Sequence, residues 1–184
     1  MQNVKIKSSL KIFSNIYAMV FAAVLVAVSV TGKFFAINIG ISLRISYENL
    51  PIVLAGIAFG PFVGFLVGIC ADLCGCIAMG YSINPLIMLG AGMIGLTAGF
   101  ASIIFSNRFS TVSIIVSDLL GHIVGSLTIK TIGIAVFFGA ENGFWALLWS
   151  RVLTYIPVVI FEILIMIILF SSQYLRKELN KLSK

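Results

Sequence analysis

Charged side chains lie inside the long apolar segments of this sequence. Lys130 stands eight residues before Phe138, where one apolar run ends, and Arg151 stands seven residues after Phe144, where the next run begins. On helices these spacings put both cations at a similar depth, roughly 10–12 Å from the outer boundary of a bilayer. Because charge in hydrocarbon is costly, such residues usually face a cavity or a partner. With Arg44 in a polar segment above them, they predict an electropositive pocket open to the outside.

Four further residues are candidates for the same pocket. Asp72 lies near the middle of an otherwise uncharged apolar run, and Tyr81, Asn84 and Trp145 lie near the predicted outer ends of helices. Tyr81 and Trp145 could form the walls around a planar ligand. They could equally anchor the chain at the lipid–water interface, which is the role expected for Trp149.

A second interpretation makes the same charges structural. In that case Lys130 or Arg151 neutralises Asp72. Arg44 then pairs with Glu48 one helical turn away. Buried ion pairs add little net stability over apolar residues, whereas ionisable groups within membranes commonly mark transport sites. We therefore favour the binding-site interpretation.

Small residues recur every four positions in two parts of the chain. One part carries Gly56, Gly60, Gly64 and Gly68, followed at the same spacing by Asp72 and Cys76. The first apolar run carries two alanine pairs, Ala18/Ala22 and Ala23/Ala27. Small residues on one helix face let another backbone approach closely. The glycines therefore predict tight helix packing, and each alanine pair predicts either internal packing or contact with another membrane protein.

Motifs for catalysis, metal binding and nucleotide hydrolysis are missing from the sequence. The three cysteines, Cys70, Cys74 and Cys76, have no histidine near them in the chain, so we interpret them as packing residues and expect no metal or cofactor. Ser117, Asp118 and His122 share one predicted helix but lack the context of a hydrolase nucleophile. No phosphate-binding G-x-x-x-x-G-K-[ST] loop is present. We therefore do not expect an enzyme.

The composition is that of a helical membrane protein. Of the 184 residues 60% are hydrophobic and 10% are charged, and the mean hydropathy is +1.16. The net charge of +6 comes largely from basic residues near the two ends of the chain, which is typical of cytoplasmic segments and does not indicate nucleic-acid binding. We interpret the first apolar run as a retained helix, because more spans follow it directly.

The pattern predicts an all-α polytopic membrane protein with six transmembrane helices in one bundle. The predicted helices cover residues 14–33, 50–60, 62–79, 85–105, 112–138 and 144–174. Gly60-Pro61 separates the second helix from the third, because proline disfavours helical geometry in the preceding residue. Residues 34–49 form a mixed loop that could cover a site as a lid. Six crossings put both termini and Arg108 in the cytoplasm, and we treat residues 1–184 as one domain.

The segment from residue 43 to residue 85 carries a specific resemblance. It reads LRISYENLPIVLAGIAFGP, then GxxxGxxxADLxG, and then Asn84-Pro85 after the helix. With six predicted helices and small-residue pairs in the first, the chain resembles the substrate-binding S components of energy-coupling-factor (ECF) vitamin transporters. Within that family it looks most like the folate-specific members, although members for other small metabolites share much of this segment.

The resemblance implies a vitamin-uptake subunit of the cell membrane. The ligand would bind near the outer face, beneath the loop after the first helix. A separate membrane coupling subunit with two ATPases would contact the alanine motif of the first helix, which maps to Ala18/Ala22 or to Ala23/Ala27.

Folate matches the predicted charges. Asp72 can accept the N–H and amino groups of the pterin edge. The two carboxylates of the glutamate tail would meet Arg44, Lys130 and Arg151. A ligand with one carboxylate, such as pantothenate, would also suit a cationic pocket. The alternative from another class is a small membrane enzyme or assembly protein whose buried charges are structural or catalytic.

Overall fold

The fold is a bundle of helices with one short β-hairpin. The computed structural model describes residues 16–39, 43–105, 107–139 and 143–182. In chain order the elements are α1 (Ile16–Phe34), β1 (Ile37–Ile39), β2 (Leu43–Ile45), α2 (Leu50–Phe59), α3 (Pro61–Met79), α4 (Pro85–Ile104), α5 (Thr111–Gly121), a π-helical segment (His122–Lys130), α6 (Thr131–Phe138), α7 (Phe144–Ser171) and α8 (Gln173–Leu182). The basic residues Lys5, Lys7 and Lys11 lie outside the described residues.

Five helical stretches of the described chain are long and apolar enough to cross a membrane. They are Ile16–Phe34, Pro61–Met79, Pro85–Ile104, Thr111–Phe138 and Phe144–Ser171. The protein is therefore a polytopic, all-helical membrane protein apart from its hairpin. The second predicted helix is present as α2, but its 10 residues extend only about 15 Å, half the thickness of the hydrocarbon core.

The predicted break between the second and third helices is confirmed. Gly60 separates α2 from α3 with φ of 98°, a left-handed conformation that glycine adopts readily, and Pro61 begins α3. All residues of α2 from Pro51 to Phe59 are buried. The break lets this short helix lie inside the bundle.

The glycine stripe, which consists of Gly56, Gly60, Gly64 and Gly68, packs α3 directly against α4. A Cβ atom built on Gly64 would lie 2.6 Å from the carbonyl oxygen of Gly95, and Gly68 meets the backbone at Ala91 in the same way. No side chain fits at such a distance, so the close approach requires glycine. The prediction of tight packing is confirmed. The helix α4 lies at the centre of the bundle, where it contacts α2, α3, α5 and the π-helical segment.

Three local features differ from the predicted elements. The lid segment contains an antiparallel hairpin in which Asn38 pairs with Arg44. The fifth predicted helix is interrupted by the π-helical segment. The sixth ends at Ser171, and α8 continues as a separate helix whose Leu179 is buried in the core. These features depend on backbone geometry that apolar periodicity does not encode.

Candidate ligand-binding site

A cavity of about 300 Å³ opens between the end of α1, the segment after the hairpin, and helices α3, α6 and α7. Its polar and charged lining residues are Lys33, Ser46, Glu48, Asn49, Asp72, Tyr81, Ser82, Lys130, Arg151, Thr154 and Tyr155. Cys76, Ile87, Ile134, Phe138 and Val158 supply the rest of the wall. A few polar groups on a largely apolar wall are typical of small-molecule sites.

One wall of the cavity holds a buried ion pair between α1 and α3. The Lys33 Nζ lies 2.5 Å from Asp72 Oδ1 and donates also to the Asp72 backbone oxygen at 3.2 Å. The stem of Lys33 crosses α3 at Gly75, where a Cβ atom would lie 2.5 Å from Lys33 Cδ. Gly75 therefore makes room for the lysine that fixes the Asp72 carboxylate.

Lys130 enters the cavity from the π-helical segment. Its Nζ donates to Asn49 Oδ1 at 3.2 Å and lies 3.6 Å from Glu48 Oε1. Its stem passes Gly90 of α4, where a Cβ atom would lie 2.6 Å from Lys130 Cγ. Lys130 therefore connects the segment that follows the hairpin, through the side chains of Glu48 and Asn49, to the centre of the bundle.

Arg151 is the third cation of the cavity and differs from the two lysines. Its Nη2 donates to the Ser126 carbonyl oxygen at 3.1 Å and to Tyr155 Oη at 3.2 Å. Its guanidinium carbon lies 5.4 Å from the centroid of the Tyr155 ring. Among the described residues no carboxylate lies within ion-pair distance of Arg151, and its buried Nε has no hydrogen-bond partner. A planar donor group therefore remains available for an anion.

The lining as a whole is electropositive. Three cationic side chains and two carboxylates face the cavity, which leaves one net positive charge. Since both carboxylates face lysines, the surplus resides at Arg151. The arrangement can bind a small anion, and Tyr81, Tyr155 and Phe138 add aromatic side chains to the lining of the same cavity.

The structure brings four of the seven predicted ligand residues to this cavity. Asp72, Tyr81, Lys130 and Arg151 line it. Arg44 lies on β2, and its side chain is outside the described residues.

Two predicted ligand residues lie elsewhere. The buried Asn84 caps α4, accepting from the Leu86 and Ile87 amides and donating to the Gly133 carbonyl oxygen at 3.2 Å. Trp145 is 72% exposed at the beginning of α7 and is not among the cavity-lining residues. An Asn-Pro dipeptide is also a helix-capping signal, and an exposed tryptophan suits the membrane interface.

The partner of Asp72 differs from that of the structural interpretation, because Asp72 pairs with Lys33 rather than with Lys130 or Arg151. Glu48 faces Lys130, and its predicted pairing with Arg44 stays a prediction, since the Arg44 side chain is outside the described residues. Lys33 stands in the last turn of the first apolar run, where its position alone suggested a helix end. Asn49 and Tyr155 were also missed as lining residues, although Tyr155 follows Arg151 by one helical turn.

The two alanine pairs of α1 face different surroundings. Ala18 is fully buried and Ala22 packs against the core, whereas Ala23 and Ala27 are exposed. The first pair therefore packs the bundle. The second pair lies on the outer surface, where a neighbouring protein or lipid can reach it.

Comparisons with known proteins agree with this architecture. A crystal structure of FolT bound with folic acid has a TM-score of 0.67 at 22% identity, covering 83% of this chain and 91% of that one. The S component of a bacterial ECF transporter has a TM-score of 0.52 at 20% identity over 100% of both chains. At these identities the likeness establishes the fold.

A sequence relative and a family model add to the fold comparison. The uncharacterized MG313 homolog of Mycoplasma pneumoniae is 32% identical over 126 residues, which is 65% of this chain. The chain spans 44% of that relative's length. The model of the ECF transporter substrate-specific component matches residues 17–170. Since that match covers most of the sequence, the protein belongs to the family of substrate-specific components of ECF transporters, which are transport subunits and not enzymes.

Proposed function

We propose that this protein captures folate from the outer side of the cell membrane and delivers it to an ATP-driven ECF transporter. The observation that carries the proposal is Arg151, a cavity guanidinium with no carboxylate partner among the described residues. A guanidinium presents paired donors that match a carboxylate. The glutamate tail of folate supplies such a group.

The remaining contacts follow from the charges of the two ends of folate. Arg151 and Lys130 would hold the glutamate tail, with Arg44 of the hairpin as a third cation above them. Asp72 would accept the pterin edge, and its contact with Lys33 fixes the carboxylate before the ligand arrives. Tyr81 would lie against an aromatic part of the ligand.

A second candidate ligand is a small vitamin or precursor with one carboxylate, such as pantothenate. It is favoured by the single net positive charge of the cavity, which one carboxylate would neutralise. The volume of about 300 Å³ is at the small end of the range for ligand pockets.

We further propose six membrane crossings with both termini in the cytoplasm. The five long apolar helices would supply five of them. The sixth would consist of α2, which extends only about 15 Å, together with residues 46–49 before it, which contribute to the cavity lining, and both basic ends then lie on the cytoplasmic side. A membrane coupling subunit carrying two ATPases would dock on α1. We assign the contact to Ala23 and Ala27, because these small residues are exposed whereas Ala18 and Ala22 are not.

Calorimetry on the purified protein tests the ligand. Folate should bind in the absence of ATP, and an excess of pantothenate should not displace it. If pantothenate binds and folate does not, the second candidate is correct. If neither compound gives heat and folate analogues do not compete, the vitamin-binding proposal is wrong.

A further inference from the structure

A second group of ionisable side chains lies behind the cavity, inside the bundle. His122 Nε2 is 2.7 Å from Glu162 Oε2 and 3.8 Å from Asp118 Oδ1. One ligand atom from each of the three residues lies within 4.8 Å of the others. The side chains of Asp118 and Glu162 are 0% exposed and that of His122 is 2% exposed. They come from α5, the start of the π-helical segment and α7.

Three of the four carboxylate oxygens of this group receive no hydrogen bond from a donor among the described residues. Among the described residues, neither oxygen of Asp118 has a hydrogen-bond partner, and Oε1 of Glu162 has none either. Two buried carboxylates beside one imidazole leave at least one net negative charge if both are ionised. Buried unpaired charge is strongly unfavourable, so either a bound proton or a metal cation must compensate it.

The orientation of the imidazole allows it to bind a metal ion through Nε2. His122 Nδ1 lies 3.1 Å from Ser126 Oγ, while Nε2 faces the two carboxylates. If Nδ1 carries the proton and donates it to Ser126 Oγ, the lone pair of Nε2 points at carboxylate oxygens. Metal-bound histidines commonly hold their other nitrogen in this way.

We propose that Asp118, His122 and Glu162 bind one divalent transition-metal ion such as Zn²⁺. One histidine nitrogen and two carboxylate oxygens are ligands that zinc accepts, and two carboxylates neutralise a divalent ion in the membrane interior. Ligand atoms around zinc lie roughly 3–3.5 Å apart at bond lengths of about 2.0–2.2 Å. The distances of 2.7 Å and 3.8 Å in the protein bracket that separation.

The site adjoins the ligand cavity without belonging to it. The His122 ring lies 5.2 Å from the Tyr155 ring, and Tyr155 in turn contacts Arg151. Glu162 also lines a separate apolar cavity of about 280 Å³ between α7 and the hairpin region. A metal ion here would link α5 to α7 next to Tyr155, the residue that contacts Arg151 in the cavity.

The single histidine of the chain makes the site measurable. The full-length protein is purified in detergent on a histidine-free tag, ¹⁵N-labelled at histidine, stripped with a chelator and titrated with Zn²⁺. We expect one equivalent of Zn²⁺ to bind. The ¹⁵N chemical shift of Nε2 should then become that of a metal-bound nitrogen, while the shift of Nδ1 stays that of a protonated nitrogen. Co²⁺ in place of Zn²⁺ should give visible absorption from the same site.

Matched variants locate the ion. D118N and E162Q keep the side-chain volumes and should each lower the Zn²⁺ affinity at least 10-fold, and Ser126→Ala should lower it about 10- to 100-fold. Glu178→Gln, which removes an exposed carboxylate on α8, should leave it unchanged.

Two results would overturn the proposal. No zinc binding by the stripped wild-type protein, with the imidazole doubly or singly protonated, would show that protons on the imidazole or the carboxyl groups compensate the charge instead. Equal zinc binding by wild type, D118N and E162Q would show an adventitious ion only. The titration of the wild-type protein decides the first question even if a variant fails to fold.

Discussion

At the scale of single residues, the cavity separates a cation available to a ligand from two that are already engaged. Lys33 and Lys130 each face a carboxylate, whereas Arg151 contacts a carbonyl oxygen and a hydroxyl. A ligand carboxylate meets less competition at Arg151 than at either lysine. The three cations should therefore differ in how much they contribute to binding.

Replacement of Arg151 should weaken ligand binding more than replacement of Lys130. We expect Arg151→Ala to lose about 1–3 kcal/mol, a change of roughly 5- to 150-fold in the dissociation constant. Arg151→Lys should also lose affinity if the contact is bidentate. Calorimetry with folate measures both, and Arg108→Gln, outside the cavity lining, is the control. Wild-type affinity in Arg151→Ala and Lys130→Ala would place the site elsewhere.

The ion pair of Lys33 and Asp72 should be recognisable by its coupling. Lys33→Met leaves a buried carboxylate without its lysine, and we expect a loss of about 3–5 kcal/mol in unfolding free energy. The double variant Lys33→Met/Asp72→Leu removes both charges and should recover much of this loss.

A double-mutant cycle from unfolding in detergent measures that coupling. Additive losses in the two single variants and the double variant would mean that the pair is not coupled, despite its distance of 2.5 Å.

The charged residues show how far sequence reasoning reaches at this scale. Asp72, Lys130 and Arg151 were predicted as site residues because charge inside an apolar run is conspicuous. The partner of Asp72 was missed because Lys33 is 39 positions away in the chain and reaches α3 across Gly75. A contact of that kind depends on the packing of two helices, which spacing within one helix does not reveal.

At the scale of elements, helix bounds and tight packing were predictable, whereas local departures from the α-helix were not. Gly60-Pro61 and the glycine stripe are chemical signals, and both had the expected consequence in α2, α3 and α4. The hairpin and the π-helical segment arise from backbone hydrogen bonding within mixed sequence, for which period and composition carry little information.

The two alanine pairs of α1 provide a matched experiment on docking. Ala23→Leu/Ala27→Leu adds bulk to the exposed face, so it should keep folate affinity but lose ATP-dependent uptake and co-purification with the coupling module. Ala18→Leu/Ala22→Leu adds the same volume inside the bundle and should lower stability, because overpacking a core is destabilising. Normal uptake by the Ala23/Ala27 variant would exclude this face as the docking surface.

At the scale of the whole molecule, the membrane-protein class followed from composition and the family from one segment of about forty residues. Both are confirmed, the first by five long apolar helices and the second by the family match over residues 17–170. The single-domain assignment, the number of crossings and their direction stay predictions. The number and direction of the crossings depend on the bilayer, whereas bundle packing depends on contacts within the chain.

The π-helical segment has a consequence for comparing this chain with its relatives. Each π-turn holds one residue more than an α-turn, so His122–Lys130 shifts the phase of the helix between α5 and α6. That shift separates the direction of His122, towards α7, from that of Lys130, towards Asn49. A relative whose corresponding helix is regular should align here only with a gap, and an ungapped alignment would match lipid-facing positions to interior ones. Insertions and deletions in this segment are therefore the evolutionary changes most able to change the direction of the Lys130 side chain while the direction of His122 stays the same, or the reverse.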